Sequence, residues 1–200
     1  MTRTGRPRTF DENIVLAEAR DLFWARGYRA TSVQALVDGL LLQRGSLYGA
    51  FGDKRVLYLK AVALYAAENR QRLEAALDAA DEVLPVLRRI LAAPAVLTQP
   101  DGRPPTRGCL VGNTTAELVP DDQDARSLVS AAFDGFLEVV TRALTRAQER
   151  GEVTSTATPQ AQAQLLLVLF QGSALVARVD AGDRRRIAAG IDAAIDALRR

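Results

Sequence analysis

Apolar positions recur at intervals of three and four along nearly the whole chain, and no segment sustains a period-two alternation. The pattern predicts an all-α fold. A first helix starts near Asp11, where Asp11 and Glu12 suit the positive end of the helix dipole. Ile14, Ala17, Leu22 and Phe23 fall near one face, and Gly27 ends the helix. Thr31 and Ser32 are placed to cap a second helix, "SVQALVDGL". A short turn leads to a third helix through "GSLYGAF". Gly52-Asp53 breaks that helix, and Asp53 caps a long fourth one reaching about Leu77.

Beyond it, "EVLPVLRRILAAPAV" reads as helix and "LTQPDGRPPT" as loop, by its Pro, Gly and Asp content. "RGCLVGNTTAEL" reads as a short helix. Residues 121–150 form one long helix with Gly151 at its end, and Pro159 suits the first turn of the next. Residues 160–179 are apolar almost all round, which predicts burial on several sides. A last helix runs from about 184 to 198, with no internal repeat anywhere.

Composition narrows the chemistry. A chain of 200 residues can bury a substantial core. It has one cysteine, Cys109, and no histidine, which argues against a disulfide framework, a Cys/His zinc site and histidine acid–base catalysis. No phosphate-binding Gly-Lys-Ser/Thr loop or dinucleotide glycine fingerprint is present. An enzyme, a bound metal and a cofactor are therefore not expected. The start "MTRTGRPRTFDEN" lacks the apolar segment of a secretory signal. "AQLLLVLFQGSALVA" is too short for a membrane span. The reading is a soluble, cytoplasmic protein. Net charge is +2 but uneven. Residues 1–60 hold ten Lys/Arg against six Asp/Glu, and the remainder sixteen against eighteen. A basic head suggests an anionic partner, although so small an excess also arises by chance.

Two short helices joined by a tight turn behind a supporting helix make a helix-turn-helix reader of the major groove. "FDENIVLAEARDLFWARGYRATSVQALVDGL" followed by "RGSLYGAFGDKRVLY" resembles the N-terminal domain of the TetR family of bacterial transcriptional regulators. The resemblance covers residues 9–69, with the helix-turn-helix at about 32–51. It implies a larger C-terminal helical domain, 70–200, for ligand binding and dimerisation, and a basic arm at 1–8 that is either a DNA contact or a solvated tail. It implies that Thr31 and Ser32 reach phosphate, and that Arg44, Gly45 and Ser46 open the recognition helix. Tyr48 is similar to the family's phosphate-contacting aromatic, though it could pack partly in the core, and Lys54 would hold a further phosphate. Leu36, Leu47 and Phe51 are core.

Two departures stand out. The family usually has glycine in the turn at the position of Leu41, and leucine resists positive φ, so a reshaped turn is expected. Gly49 and Ala50 stand where many relatives carry bulkier residues, removing groove contacts. The implied function is a repressor released from a pseudo-palindromic operator by a small-molecule effector or by modification of Cys109. The alternative is a regulator with weakened DNA binding that acts through protein partners.

The resemblance also places the dimer interface on the last two helices. Leu165, Leu169, Gly172 and Val176 offer an apolar surface, and Ile187, Ile191 and Ile195 a stripe; either could instead be core within one chain. Candidate pocket walls are Tyr58, Leu64, Tyr65, Val86, Ile90, Phe133, Phe136, Leu137, Leu166 and Phe170, each also readable as plain core. Cys109 sits at a helix start, two residues from Arg107, a setting that favours thiolate. Its Gly-Cys-Leu segment resembles that of one branch of the family, in which some members sense oxidants or electrophiles through that cysteine. A buried, inert cysteine is the other reading.

Overall fold

The computed structural model describes residues 10–95, 108–154, 156–178 and 184–199. The basic arm at 1–8 and Arg107 lie outside the described residues. The described helices are α1 (Glu12–Arg26), α2 (Val33–Gly39), α3 (Arg44–Phe51), α4 (Lys54–Asp78), α5 (Val83–Ala92), α6 (Leu110–Glu117), α7 (Gln123–Glu149), α8 (Pro159–Val176) and α9 (Arg184–Leu198).

Local chemistry sets these boundaries. Asp11, Ser32, Asp53, Asp122 and Thr158 each accept a first-turn backbone N–H as N-cap. Pro159 opens α8 without forfeiting a helical hydrogen bond. Gly27 (φ 88) and Gly151 (φ 75) end α1 and α7 in conformations that a Cβ disfavours.

Two apolar clusters divide the interior. One joins α1–α3 and the first half of α4 to α6 and the start of α7, around Phe23, Leu36, Leu57, Tyr58 and Leu110. The other joins the second half of α4 to α5, α7, α8 and α9, around Leu77, Leu84, Leu144, Leu166 and Ile191. Helix α4 belongs to both. Its 25 residues span about 37 Å, so it is the rod connecting head and body. Burial of a side chain the size of Phe23 contributes about 1.5–3 kcal/mol.

Several sequence expectations change here. In α1 the buried face is Val15, Ala19 and Phe23, at strict i, i+4, i+8 spacing, while Ile14 is exposed. Ile187, Ile191 and Ile195 are not an intersubunit stripe. They are buried in the chain's own core, where α9 packs on α5. Conversely, α8 is not buried all round: Leu165, Val168, Leu175 and Val176 are exposed, Val168 by 70%. Gly172 lies on the same open face, with nothing within 4 Å of an added Cβ, and Leu169 is partly buried against the core. No described helix is long and apolar enough to cross a membrane.

The turn between α2 and α3 is not reshaped. Leu41 itself takes φ 53, and the Leu42 N–H donates to Val37 O at 3.1 Å, the six-to-one bond of a Schellman ending. The leucine thus does the work usually given to glycine, at 91% exposure.

Candidate nucleic-acid interface and the elements behind it

Helix α3 is anchored by Leu47 and Phe51, both buried in the head core. This leaves Arg44, Gly45, Ser46, Tyr48 and Gly49 facing outward. The Arg44 guanidinium lies over the Tyr48 ring, 5.9 Å from its centre, one helical turn along. Tyr48 is 39% exposed and belongs to the surface. A Cβ added at Gly45 or Gly49 would meet nothing, so the outer face of α3 is open to close approach.

Ser32 caps α2, accepting the Ala35 N–H at 3.0 Å, and remains exposed, so its hydroxyl hydrogen can still reach a phosphate. Thr31 does not share that role. Its side chain is fully buried and its hydroxyl donates to Gly27 O at 2.6 Å, bracing the α1–α2 turn. Adjacent hydroxyls cannot both be the N-cap, and the chain uses the second.

Lys54 begins α4 with its ammonium 4.3 Å from the centre of the Tyr28 ring. Partial burial lowers its pKa, opposed by the negative charge of Glu117. Tyr28 packs on Tyr58, with ring centres 4.8 Å apart, and Tyr58 meets Phe23 edge-on at 5.0 Å. The Tyr58 hydroxyl shares a 2.9 Å hydrogen bond with Thr114 on α6. Burial drives the Tyr58 pKa well above its ordinary value.

Helix α6 is therefore bonded into the head, and at both ends. At its C-terminus the Arg29 N–H donates to the Glu117 carboxylate at 2.9 Å and the Arg29 guanidinium to Glu117 O at 3.2 Å. Before its N-terminus the Trp24 indole N–H donates to Gly108 O at 2.7 Å. Trp24 also meets Tyr65 edge-on, at 4.9 Å. Arg55 of α4 grips Asp122, the N-cap of α7, through Nε at 2.6 Å and Nη2 at 2.8 Å, and reaches Asp124 at 2.7 Å. This clamp depresses the Asp122 pKa to about 2.

Behind α6 lies a cavity of about 340 Å³ between α4, α5, α7 and α8. Tyr65, Ile90, Phe133, Phe136 and Phe170 line it. The Phe136 and Phe170 rings stack 5.9 Å apart at 23°. Leu137 does not line it. One residue along a helix turns a side chain by about 100°, and Leu137 packs against the second core instead. Tyr58, Leu64, Val86 and Leu166 are likewise absent from the walls. Asn69, Arg70, Arg72 and Gln171 supply polar lining that the sequence reading had not picked out. Both arginines are paired, Arg70 with Glu138 at 2.9 Å and Arg72 with Glu68 at 2.8 Å.

Cys109 is the N-cap residue of α6, buried at 6% exposure, and part of the cavity wall. Its sulfur is 4.0 Å from the Tyr65 hydroxyl and 3.9 Å from the Gln171 amide nitrogen. Arg178 donates to Asn113 on the same helix at 3.1 Å. Cavity, cysteine and α6 thus form one continuous assembly with the head.

Family models match both halves of the chain. "Bacterial regulatory proteins, tetR family" matches residues 15–61, and "Tetracyclin repressor-like, C-terminal domain" matches residues 83–194. Among curated relatives, the HTH-type transcriptional repressor ComR of Escherichia coli (strain K12) is 29% identical over 175 residues, covering 87% of this chain and 82% of ComR. The uncharacterized HTH-type transcriptional regulator YezE of Bacillus subtilis (strain 168) is 29% identical over 149 residues, 74% of this chain and 76% of YezE. Among solved structures, a cysteine mutant of the regulator CifR, complexed with 26-bp double-strand operator DNA, is 27% identical with a TM-score of 0.80, covering 97% of this chain and all of that one.

Proposed function

Because the chain belongs to the TetR family of transcriptional regulators, we propose that it is a homodimeric repressor whose grip on operator DNA is governed from the cavity behind α6. The head supplies the DNA face. In this reading the exposed Ser32, Arg44, Ser46 and Tyr48 and the half-buried Lys54 supply hydroxyl and cationic groups for phosphate and base contact, and Gly45 lets the duplex come close. The CifR structure, complexed with operator DNA, supports this use of the head. The retained turn at Leu41 favours the same reading over a regulator with weakened DNA binding. The protein is not an enzyme, and we place it in the cytoplasm, where its DNA would be.

The exposed α8 face of Leu165, Val168, Gly172, Leu175 and Val176 is the dimer surface in this reading. A two-fold axis through it would match a pseudo-palindromic operator.

The observation that carries the regulatory part is the bonding of α6. Near its N-terminal end it meets the cavity through Cys109, and it is tied to α1 by Trp24 through the preceding Gly108, to α4 by Tyr58, and to the turn after α1 by Arg29. A small apolar or aromatic effector between Phe136 and Phe170, or an adduct on Cys109, would shift α6 and strain those ties. The two heads of the dimer would then no longer span two half-sites. Cys109 lines the cavity, so an adduct on its sulfur would occupy space beside Tyr65 and Gln171 and press on the start of α6. The test is a gel shift on the DNA flanking the protein's own gene, with and without diamide or a quinone, followed by thiol reductant, in the wild type and in Cys109→Ser. Release that reductant reverses and the mutant lacks supports the thiol route. Release retained in the mutant rules it out and leaves the cavity ligand.

A further inference from the structure

Within the operator reading just given, on which this inference rests, one exposed side chain beside α3 has no assigned use. Gln43 is the N-cap of α3, with φ −75 and ψ 144, but it makes no side-chain cap hydrogen bond. The three other helices of the head begin differently: Asp11, Ser32 and Asp53 each cap with their own side chain. Glutamine is a poor N-cap, where Ser, Thr, Asp and Asn lead, so the helix itself gives no reason for it here.

The same eight-residue helix departs from good helix design twice more. Gly45 and Gly49 are poor helix formers, each costing up to about 1 kcal/mol relative to alanine, and an added Cβ at either would touch nothing. Three local departures from helix stability in one short, exposed element indicate a surface shaped for a partner. The two glycines flatten its outer face, so a duplex can come close. The side chains left standing at its start are then few: Gln43, Arg44 and Ser46. Of these, Gln43 and Arg44 carry planar groups able to make paired hydrogen bonds with a base edge. The Arg44 guanidinium is already held against the Tyr48 ring, which limits its rotation.

We propose that Gln43 is a base-reading residue and that, with Arg44, it requires an adenine near a guanine in each operator half-site. A glutamine amide donates to adenine N7 and accepts from adenine N6, as the arginine fork donates twice to guanine O6 and N7. Consecutive residues at a helix start are 3.8 Å apart in the backbone, close to the spacing of stacked base pairs, so the two bases lie roughly one or two steps apart.

The experiment is selection from random duplex DNA by the full-length wild type, Gln43→Ala and Arg44→Ala, followed by affinity measurements on single-base variants of the selected site. The wild type should enrich a half-site containing that adenine and guanine. Gln43→Ala should lose discrimination at the adenine alone, by about 5- to 150-fold, with its salt dependence unchanged. Arg44→Ala should lose it at the guanine. If Gln43→Ala enriches the wild-type motif unaltered, or weakens every sequence equally, the residue reads no base and the inference is overturned. If the wild type enriches no motif, the operator reading falls, and this inference with it.

Discussion

Arg29 and Glu117 are joined twice, by a backbone N–H to the carboxylate at 2.9 Å and by the guanidinium to the carbonyl oxygen at 3.2 Å. The residues lie 88 positions apart, one just past the end of α1 and the other closing α6. Gly27 sits against the same carboxylate, where an added Cβ would come within 2.9 Å of it. The head therefore meets α6 across a close polar joint.

Cutting that joint should uncouple signal from DNA. Glu117→Ala is expected to leave ligand-free DNA affinity within a factor of about 3, while reducing the oxidant- or effector-induced loss of affinity by at least about 1 kcal/mol of a typical 1–3. Anisotropy titrations with and without the inducer measure both quantities. An undiminished response would exclude Glu117 from the coupling.

Leu41 should be a site of easy stabilisation. A non-glycine residue at φ 53 is strained by about 1–2 kcal/mol, and glycine returns part of the gain by loosening the unfolded chain. Leu41→Gly should therefore raise unfolding stability by about 0.5–1 kcal/mol, read as a higher denaturant midpoint. A lower midpoint would show that the leucine makes contacts worth more than its strain.

The Arg55–Asp122 clamp gives an acid-sensitive contribution of known sign. Asp122 titrates at about 2 in the folded protein against an ordinary 3.8, so its charged form is favoured by folding. The stabilisation is fully present above about pH 4 and is lost as the pH falls toward 2. Arg55→Ala should be less stable than the wild type at pH 7, and the gap should narrow through that window. A gap independent of pH between 4 and 2 would contradict the clamp.

The exposed face of α8 and the buried face of α9 should respond differently to a charge. Val168→Asp is expected to yield a folded, helical monomer by light scattering, because its side chain is 70% exposed in the chain. Ile191→Asp should unfold the protein, since an unpaired carboxylate at a fully buried core position costs more than about 4 kcal/mol. A dimeric Val168→Asp would move the interface elsewhere.

How far the sequence led depends on what each signal encodes. Asp11, Ser32, Asp53, Gly27, Gly151 and Pro159 are local signals, and they mark their helix ends because capping is decided within a turn. The isoleucines of α9 show the limit. A stripe at i, i+4, i+8 says that one face is buried, and α5 rather than a second subunit buries it here. The same holds for Phe136 and Leu137: both pack against the second core, and one step around α7 decides which of them also reaches the cavity. Thr31 and Ser32 were indistinguishable by type, and only the turn after Gly27 separates them. At Leu41, propensity argued for a different turn, but the Leu42–Val37 bond and the burial of Leu40 and Leu47 on either side hold the left-handed conformation against it. Gln43 went unnoticed because an uncapped helix start becomes visible only once the neighbouring caps are seen.

The central claim is that the surface around α3 binds duplex DNA specifically. It is tested most directly by titrating the purified protein against a labelled duplex from the region flanking its own gene, over a range of salt concentrations, beside Arg44→Ala. The expected result is wild-type binding that weakens steeply with salt, with the specific affinity of Arg44→Ala reduced by about 1–3 kcal/mol and its residual binding no longer selective. Equal affinity of wild type and Arg44→Ala for that duplex and for unrelated DNA would contradict it.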